Sequence, residues 1–428
     1  MTAVSDRTPV TLVSSLHREA AARIANALAL PGTALISHDL RALPLGYVLR
    51  QTRTVLGGAD QFAIEGVKLE HGCATCTLRH DLLPLLRTLH RTPGVERIVV
   101  VLDPAFEPEP VVAEIVGTVV ETDELPAGTA GDDVVVRATL TSVDAASWLE
   151  DATGDRTLTE AGVSAVEDER TLAQAAVAQV RFADVVVVET SGAADDRYRD
   201  AQLSAALRRI NPAAIQHPVR PDDPFGPDEL LISLATVRPE SRRGRLTTPF
   251  DPLLDGCPPL EADCGIEVVT FEAPRAFHPE RLHGALDVLL EGVICARGRL
   301  WLTSSPDHVL WLESAGGALG ISKVARWLAA RSEEELAAVD PEVRAMASLR
   351  WDGEHGDRHS SIVVVVHRAD RAEIEEALTG ALLTDAEIAC GADYLAALPS
   401  PFGDVHHDPC SDSPRGESDS ISHEETTR

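Results

Sequence analysis

The sequence predicts an α/β chain in two folded units, a mostly parallel sheet domain followed by a smaller α+β domain, on three observations. Continuous β-branched runs alternate with helical patterns in the first half, prolines crowd the middle, and strands and helices resume in mixed order after residue 264. At roughly 150 residues per domain, 428 residues exceed one ordinary core. The expected division is a first domain at 1–216, a proline-rich connection at 217–264, a second domain at 265–404, and an acidic tail at 405–428. The tail's composition predicts disorder, because it offers too little apolar area to offset chain entropy.

Each element of the first domain follows from its run. Pro9 to Val13 reads as a buried strand, and the Ala-rich stretch from His17 to Leu30 as a helix. Further strands are expected at Thr33 to Ser37, Arg97 to Leu102, Val134 to Val143 and Ala183 to Val188, because unbroken β-branched runs suit strands covered on both faces. Helices are expected at Asp81 to Arg91, Pro110 to Gly117 and Thr171 to Arg181. In the connection, only Asp228 to Leu234 reads as packed. In the second domain, strands are expected at IEVVTFEA, Gly298 to Thr303, His308 to Ser314 and Ser361 to Val366, with helices at Pro279 to Gly292 and Arg371 to Leu382.

Composition narrows the function classes. Against 38 Lys plus Arg stand 68 Asp plus Glu, a formal charge of −30 that repels phosphate backbones and anionic lipid on average. Direct DNA binding is therefore not expected, and no apolar run is long enough for a membrane helix. The N-terminus lacks the pattern of a secretory signal, so the cytoplasm is the expected compartment. Seven widely spread cysteines argue for reduced thiols or metal ligands over a disulfide framework.

The most specific short element is His71-Gly72-Cys73-Ala74-Thr75-Cys76, followed by Thr77-Leu78-Arg79-His80-Asp81-Leu82. C-x-x-C spacing lets Cys73 and Cys76 share one soft metal ion, with His71 as a third ligand. Two other readings stay open, a redox pair and buried structural thiols. The redox reading is weakened by a following helix expected to start only at Asp81.

The run GCATCTLRHDLL resembles the G-C-x-C-C signature and trailing L-R-x-D-L of the CobW family of metal-handling GTPases. Thr75 replaces the middle cysteine. The second half is similar too: FEAPRAFHPERLHGALDVLLEGVICARGRLWL resembles the family's R-x-K-G-x-x-W region, with Arg297 and Trp301 framing Arg299, while GDRHSSIVVVV and SPFGDVHHDPC match later elements. This resemblance spans nearly the whole chain. It implies a P-loop-NTPase-like first domain and a CobW-type C-terminal domain, with zinc as the candidate ligand.

The GTP-binding motifs of that family are missing. A P-loop needs glycines, a lysine and a hydroxyl residue, but Ser14-Ser15-Leu16-His17-Arg18-Glu19 stands after the first strand, and Glu19 would repel phosphate. Pro104 occupies the position of a glycine whose N–H would meet the γ-phosphate, and Glu189-Thr190-Ser191-Gly192 replaces the guanine-reading N-K-x-D. GTP and magnesium are therefore not expected, and no catalytic or cofactor-binding residue is assigned.

Among CobW-family branches, the pattern looks most like the actinobacterial Mrf branch, which recruits a ribosome hibernation factor under zinc limitation. That resemblance implies a hibernation factor and the small ribosomal subunit as partners, with Arg242, Arg243 and Arg245 available to touch RNA. The alternative is a zinc metallochaperone with residual GTP binding, using Cys73, Cys76 and His71 with help from His38 and Asp39, otherwise read as loop residues. His406, His407 and Cys410 form a weaker candidate metal cluster. Trp301, Trp311, Trp327 and Trp351 are expected in the core or at a domain interface, and Cys257, Cys264, Cys295 and Cys390 as structural thiols.

Overall fold

The computed structural model describes residues 7–69, 77–122, 125–190, 193, 196–220, 227–238, 249–254 and 256–402. Cys73, Cys76 and His71, the arginine cluster at 242–245, Ser191, Gly192, and His406, His407 and Cys410 lie outside these residues.

The first domain is built on an eight-stranded sheet. Its strands are β1 (Thr8–Ser15), β2 (Thr33–Asp39), β3 (Tyr47–Leu56), β4 (Ala59–Lys68), β5 (Arg97–Val101), β8 (Val134–Asp144), β9 (Val185–Glu189) and β10 (Ile215–Val219), and β6 (Val119–Thr122) pairs with β7 (Leu125–Thr129) in a separate hairpin. The order is β10-β9-β8-β1-β5-β2-β3-β4. All neighbours from β10 to β2 are parallel, and β3 and β4 join antiparallel. The predicted mostly parallel α/β domain is thus present, with the helices α1 (Arg18–Ala27), α2 (Leu83–His90), α3 (Pro108–Gly117), α4 (Trp148–Thr153), α5 (Leu172–Arg181) and α6 (Arg197–Ile210) around it. Alternate residues of β2 show why both faces need covering: Ala34 and Ile36 pack with Leu82, Leu83 and Leu86, while Leu35 packs with Ile24 and Leu28.

The second sheet is antiparallel, in the order β11-β15-β12-β13-β14, from β11 (Glu267–Ala273), β12 (Val293–Leu300), β13 (His308–Ala315), β14 (Ala318–Arg326) and β15 (Ser360–Val366). One face packs on α8 (Pro279–Ala285) and α9 (Arg371–Gly380) through Phe271, Leu310, Leu312, Ile362 and Val364. On the other face Cys295, Ala315 and Val365 share a core with Ala173, Val177 and Leu207 of the first domain. Between the domains, α7 (Pro227–Thr236) extends the helix expected at Asp228 to Leu234. Among the described residues, no helix is long and apolar enough to cross a membrane.

Several elements differ from the sequence expectation. β12 starts at Val293, not Gly298, and the helix before it gives way to a 3-10 turn after Ala285. The run VICA is buried on both faces, and periodicity cannot separate such a strand from the end of a helix. β10 carries the first sheet past residue 216, where the connection was expected to begin. Trp327 is fully buried, as expected, but Trp351 is 52% exposed, and Cys257 and Cys390 are exposed and so are not core thiols. Cys295 is buried, and the four described cysteines are free.

The β13–β14 turn fixes the two domains against each other. Gly316, at φ +53, donates its N–H to Ile294 O, and Gly317 donates to Gly154 O at 3.0 Å. A Cβ on Gly316 would lie 2.3 Å from Gly154 O and 2.7 Å from Ala173 Cβ, inside the first domain. Gly316→Ala is therefore expected to cost about 2–4 kcal/mol, read as a lowered denaturation midpoint. A second measurable feature is His359, whose ring lies 5.8 Å from Trp327 and whose Nδ1 donates to Asp357 O. Burial pushes its pKa down to about 4, with Arg299 and Arg350 adding to the effect. The unfolded chain takes up this proton near pH ~6.5, the folded one only near 4, so its contribution is complete above that upper value and is lost on acidification. Urea titrations across this window should show a loss of up to about 3 kcal/mol that is reduced in His359→Gln.

Candidate functional site

Two places inherit the chemistry expected from the sequence: the carboxyl end of β1, where a nucleotide would sit, and the junction of the cysteine segment with α2. At the first, β1 stays paired with β8 to its last residues, Ser14 opposite Thr141 and Ser15 opposite Ser142. Only Leu16 and His17 separate it from α1. A phosphate-cradling arch needs a longer excursion of free amides. Here Ser15 Oγ donates to Ser142 O at 3.0 Å and accepts from His17 N at 3.1 Å, while Ser14 Oγ lies 2.8 Å from Thr141 Oγ1.

The space beyond is filled by the chain's own groups. Arg18, on the first turn of α1, bridges to the buried Asp103 at 2.9 Å and donates to Val163 O at 3.1 Å. Asp103 also accepts from Leu40 N and Ala105 N, so both carboxylate oxygens are occupied. Pro104, which has no N–H, gives its carbonyl to Gln179. Arg170 closes the same end, contacting Glu107 at 2.9 Å and Ala105 O at 2.8 Å. At the base-reading position, Glu189 is held by Arg23 at 2.5 Å and by Ser142 Oγ at 2.8 Å, and Thr190 N donates to Val219 O. The crevice lined by His17, Asp144, Asp151 and Gln179 measures about 10 Å³, room for one water. Small-ligand sites typically need ~300 Å³ or more. Among the described residues, this end presents neither a lysine nor an arch of free amides.

The second place is built differently. Among the described residues, helical structure is already present at Thr77, the residue after Cys76 in sequence, and not only from Asp81 as expected. Its first turn, Leu78–Leu82, is a π turn in which Leu83 N–H reaches Leu78 O. Pro84 explains the wide turn, since it has no N–H to give His80. The argument against a redox pair from a late helix start therefore fails.

Into this turn points His38. It is the next-to-last residue of β2, 6% exposed, and lies on the face that carries Ala34 and Ile36 toward α2. Its Nε2 lies 2.6 Å from Asp81 Oδ2, while Arg50 of β3 reaches Asp81 Oδ1 at 2.5 Å and also pairs with Glu65. With Nε2–H donated to the carboxylate, the Nδ1 lone pair is left for another partner, as in carboxylate-oriented metal ligands. Asp39 faces the other way and is clasped by Arg41 at 2.6 Å, which holds its carboxyl below the usual range. Both residues are strand residues, not loop residues as expected. The structure thus brings His38 to Asp81, five residues after Cys76 in sequence, and turns Asp39 away toward Arg41. The signal that could have found Asp81 was the L-R-x-D-L motif itself. Among the described residues no group of three His, Cys, Asp or Glu side chains is arranged to hold a metal.

Asp81→Ala would leave a buried guanidinium and an unoriented imidazole. A stability loss of about 3 kcal/mol is expected in denaturant titrations, more than for removing an exposed ion pair such as Arg41 with Asp39.

Comparison with known proteins agrees with this geometry at the level of family. Residues 266–382 match the cobalamin synthesis protein cobW C-terminal domain, and residues 51–218 match the CobW/HypB/UreG nucleotide-binding domain. The second match begins after β1 and α1, so the P-loop region falls outside it. A zinc chaperone of Mycobacterium tuberculosis is 40% identical over 411 residues, covering 95% of this chain and 96% of its own length. A zinc-regulated GTPase metalloprotein activator of Dictyostelium discoideum is 25% identical over 339 residues, 76% of this chain and 68% of that protein. Among solved structures, the Zn(II)-bound YjiA GTPase of E. coli aligns over 88% of this chain and 99% of its own, at 14% identity and a TM-score of 0.36, a score at which the overlay carries no functional weight. With both domains matched and a 40% identical relative along almost its whole length, the chain belongs to the CobW family.

Proposed function

We propose that this protein is a zinc metallochaperone that holds its cargo at the Cys73–Cys76 segment and does so without binding or hydrolysing GTP. The observation that carries the zinc half is the buried His38–Asp81 pair, whose carboxylate stands five residues after Cys76 in sequence. Cys73 and Cys76 supply soft thiolates, His71 an imidazole, and His38 a further imidazole whose second nitrogen is already oriented by Asp81. The name of the 40% identical relative supports the same cargo. Thr75, in place of a third cysteine, lowers the number of thiolates and suits an ion that must be released again.

The nucleotide half rests on the closed end of β1, where Arg18, Asp103 and Arg170 occupy the space and no lysine is present. The adaptor expectation, in which the protein brings a hibernation factor to the small ribosomal subunit, finds no support among the described residues. None of the relatives named above is described by a ribosomal role, so zinc handling takes precedence.

Competition with a chromophoric zinc chelator tests the cargo. One zinc per chain is expected, with affinity falling at least tenfold in Cys73→Ser and in Cys76→Ser, and by ~10–100-fold in Asp81→Ala through the second shell. A wild-type chain that takes up no zinc would remove this reading. Isothermal titration with GTP and magnesium, with and without zinc, is expected to be silent; saturable micromolar heat would overturn the nucleotide half alone.

A further inference from the structure

The outer edge of β4 is the feature that neither the cysteine segment nor the closed nucleotide end accounts for. Among the described residues β4 is the last strand of the eight-stranded sheet and pairs only with β3; it runs for ten residues and is exposed at every position except the half-buried Val67. The opposite edge, β10, is half that length and carries Pro218, which interrupts pairing. β4 contains no proline and shows Phe62 and Ile64, 61% and 56% exposed, on one face.

Edge strands are commonly protected by charge. On β4 that protection is cancelled, because Asp60 is held by Arg53 at 2.7 Å and Glu65 pairs with Arg50, both from β3. The remaining charge on the strand is Lys68. Long, free of proline and internally neutralised, this edge can accept another strand.

We infer that the strand it accepts is β4 of a second copy, antiparallel and centred on Ala63. A two-fold axis perpendicular to the sheet keeps each face on its own side, so one residue must lie opposite itself. Centred on Ala63, the register sets Phe62 opposite the partner's Ile64 and Ile64 opposite the partner's Phe62, joining four apolar side chains on one face. On the other face Gln61 lies opposite the partner's Glu65. Lys68 falls diagonal to the partner's Asp60, an opposite charge. Neighbouring registers do worse: centring on Phe62 places Ile64 against Asp60, centring on Ile64 places Phe62 against Gly66, and centring on Glu65 opposes two carboxylates. The strand is self-complementary in one register, which favours a second copy over an unrelated extended peptide. Two eight-stranded sheets would then become one continuous sheet across the axis.

Sedimentation velocity of the full chain over a concentration series is expected to show a reversible monomer–dimer equilibrium. Ile64→Lys should weaken it at least tenfold with an unchanged far-UV circular dichroism spectrum. Register is read by oxidation: Ala63→Cys should give a dimer linked through the two copies of position 63, whose Cα separation of about 5 Å suits a disulfide. Gln61→Cys should not, since its two copies lie four residues apart, and peptide mapping distinguishes these links from those of native cysteines. A monomer at every concentration, a dimer indifferent to Ile64→Lys, or equal linkage at positions 61 and 63 would each overturn the inference.

Discussion

The constraint on which the rest depends is the pairing of β1 on both sides. Its backbone is committed to β5 on one edge and β8 on the other, and the second commitment runs through Ser15, the strand's final residue. A strand held this far along has nothing left with which to form an arch of free amides, and the helix must start almost at once. Arg18 then arrives at the position from which it reaches Asp103, and the carboxyl ends of β1 and β5 are sealed by protein groups. The loss of a glycine-rich loop is thus a change of strand length and helix onset as much as of residue identity.

On the far side of the same sheet the constraint works in the opposite sense. β2 delivers His38 to the face shared with α2, and the π turn that Pro84 imposes brings Asp81 to meet it. Arg50 secures Asp81 from β3, so two strands and the helical turn converge on one buried carboxylate. The family's nucleotide site and its cysteine segment are separable in this architecture, since one depends on the end of β1 and the other on the β2–β3 side of the sheet. At the first, Arg18 and Asp103 pair across the strand ends; at the second, His38, Arg50 and Asp81 meet.

Much of this was legible before any coordinates. Continuous runs such as RIVVVL and ADVVVV read correctly as strands because burial on both faces removes any polar alternation. The same property hid β12, whose VICA run passes for the tail of a helix. The β3–β4 hairpin was missed although Gly57-Gly58 marks it, both at positive φ in a two-residue turn; its strands are half-exposed and mixed in polarity, so hydrophobic pattern gives little signal. The chemistry of His38 is legible in the sequence but its surroundings are not, because only pairing with β3 and β5 shows that Ser-His-Asp is the end of a strand. The partner of His38 lies 43 residues away, a distance that sequence spacing cannot bridge.

The seam at Gly316 has a mechanical meaning. In a switch protein, nucleotide turnover does work by moving one body relative to another, and that requires an interface able to slip. Here a hairpin tip without side chains is lodged against Gly154, and a single apolar core runs through both bodies. That packing resists the slip which such a movement would need. On the reading proposed above, cargo would leave by ligand exchange down an affinity gradient, so direction would be set by the thiolate count of whatever receives the ion.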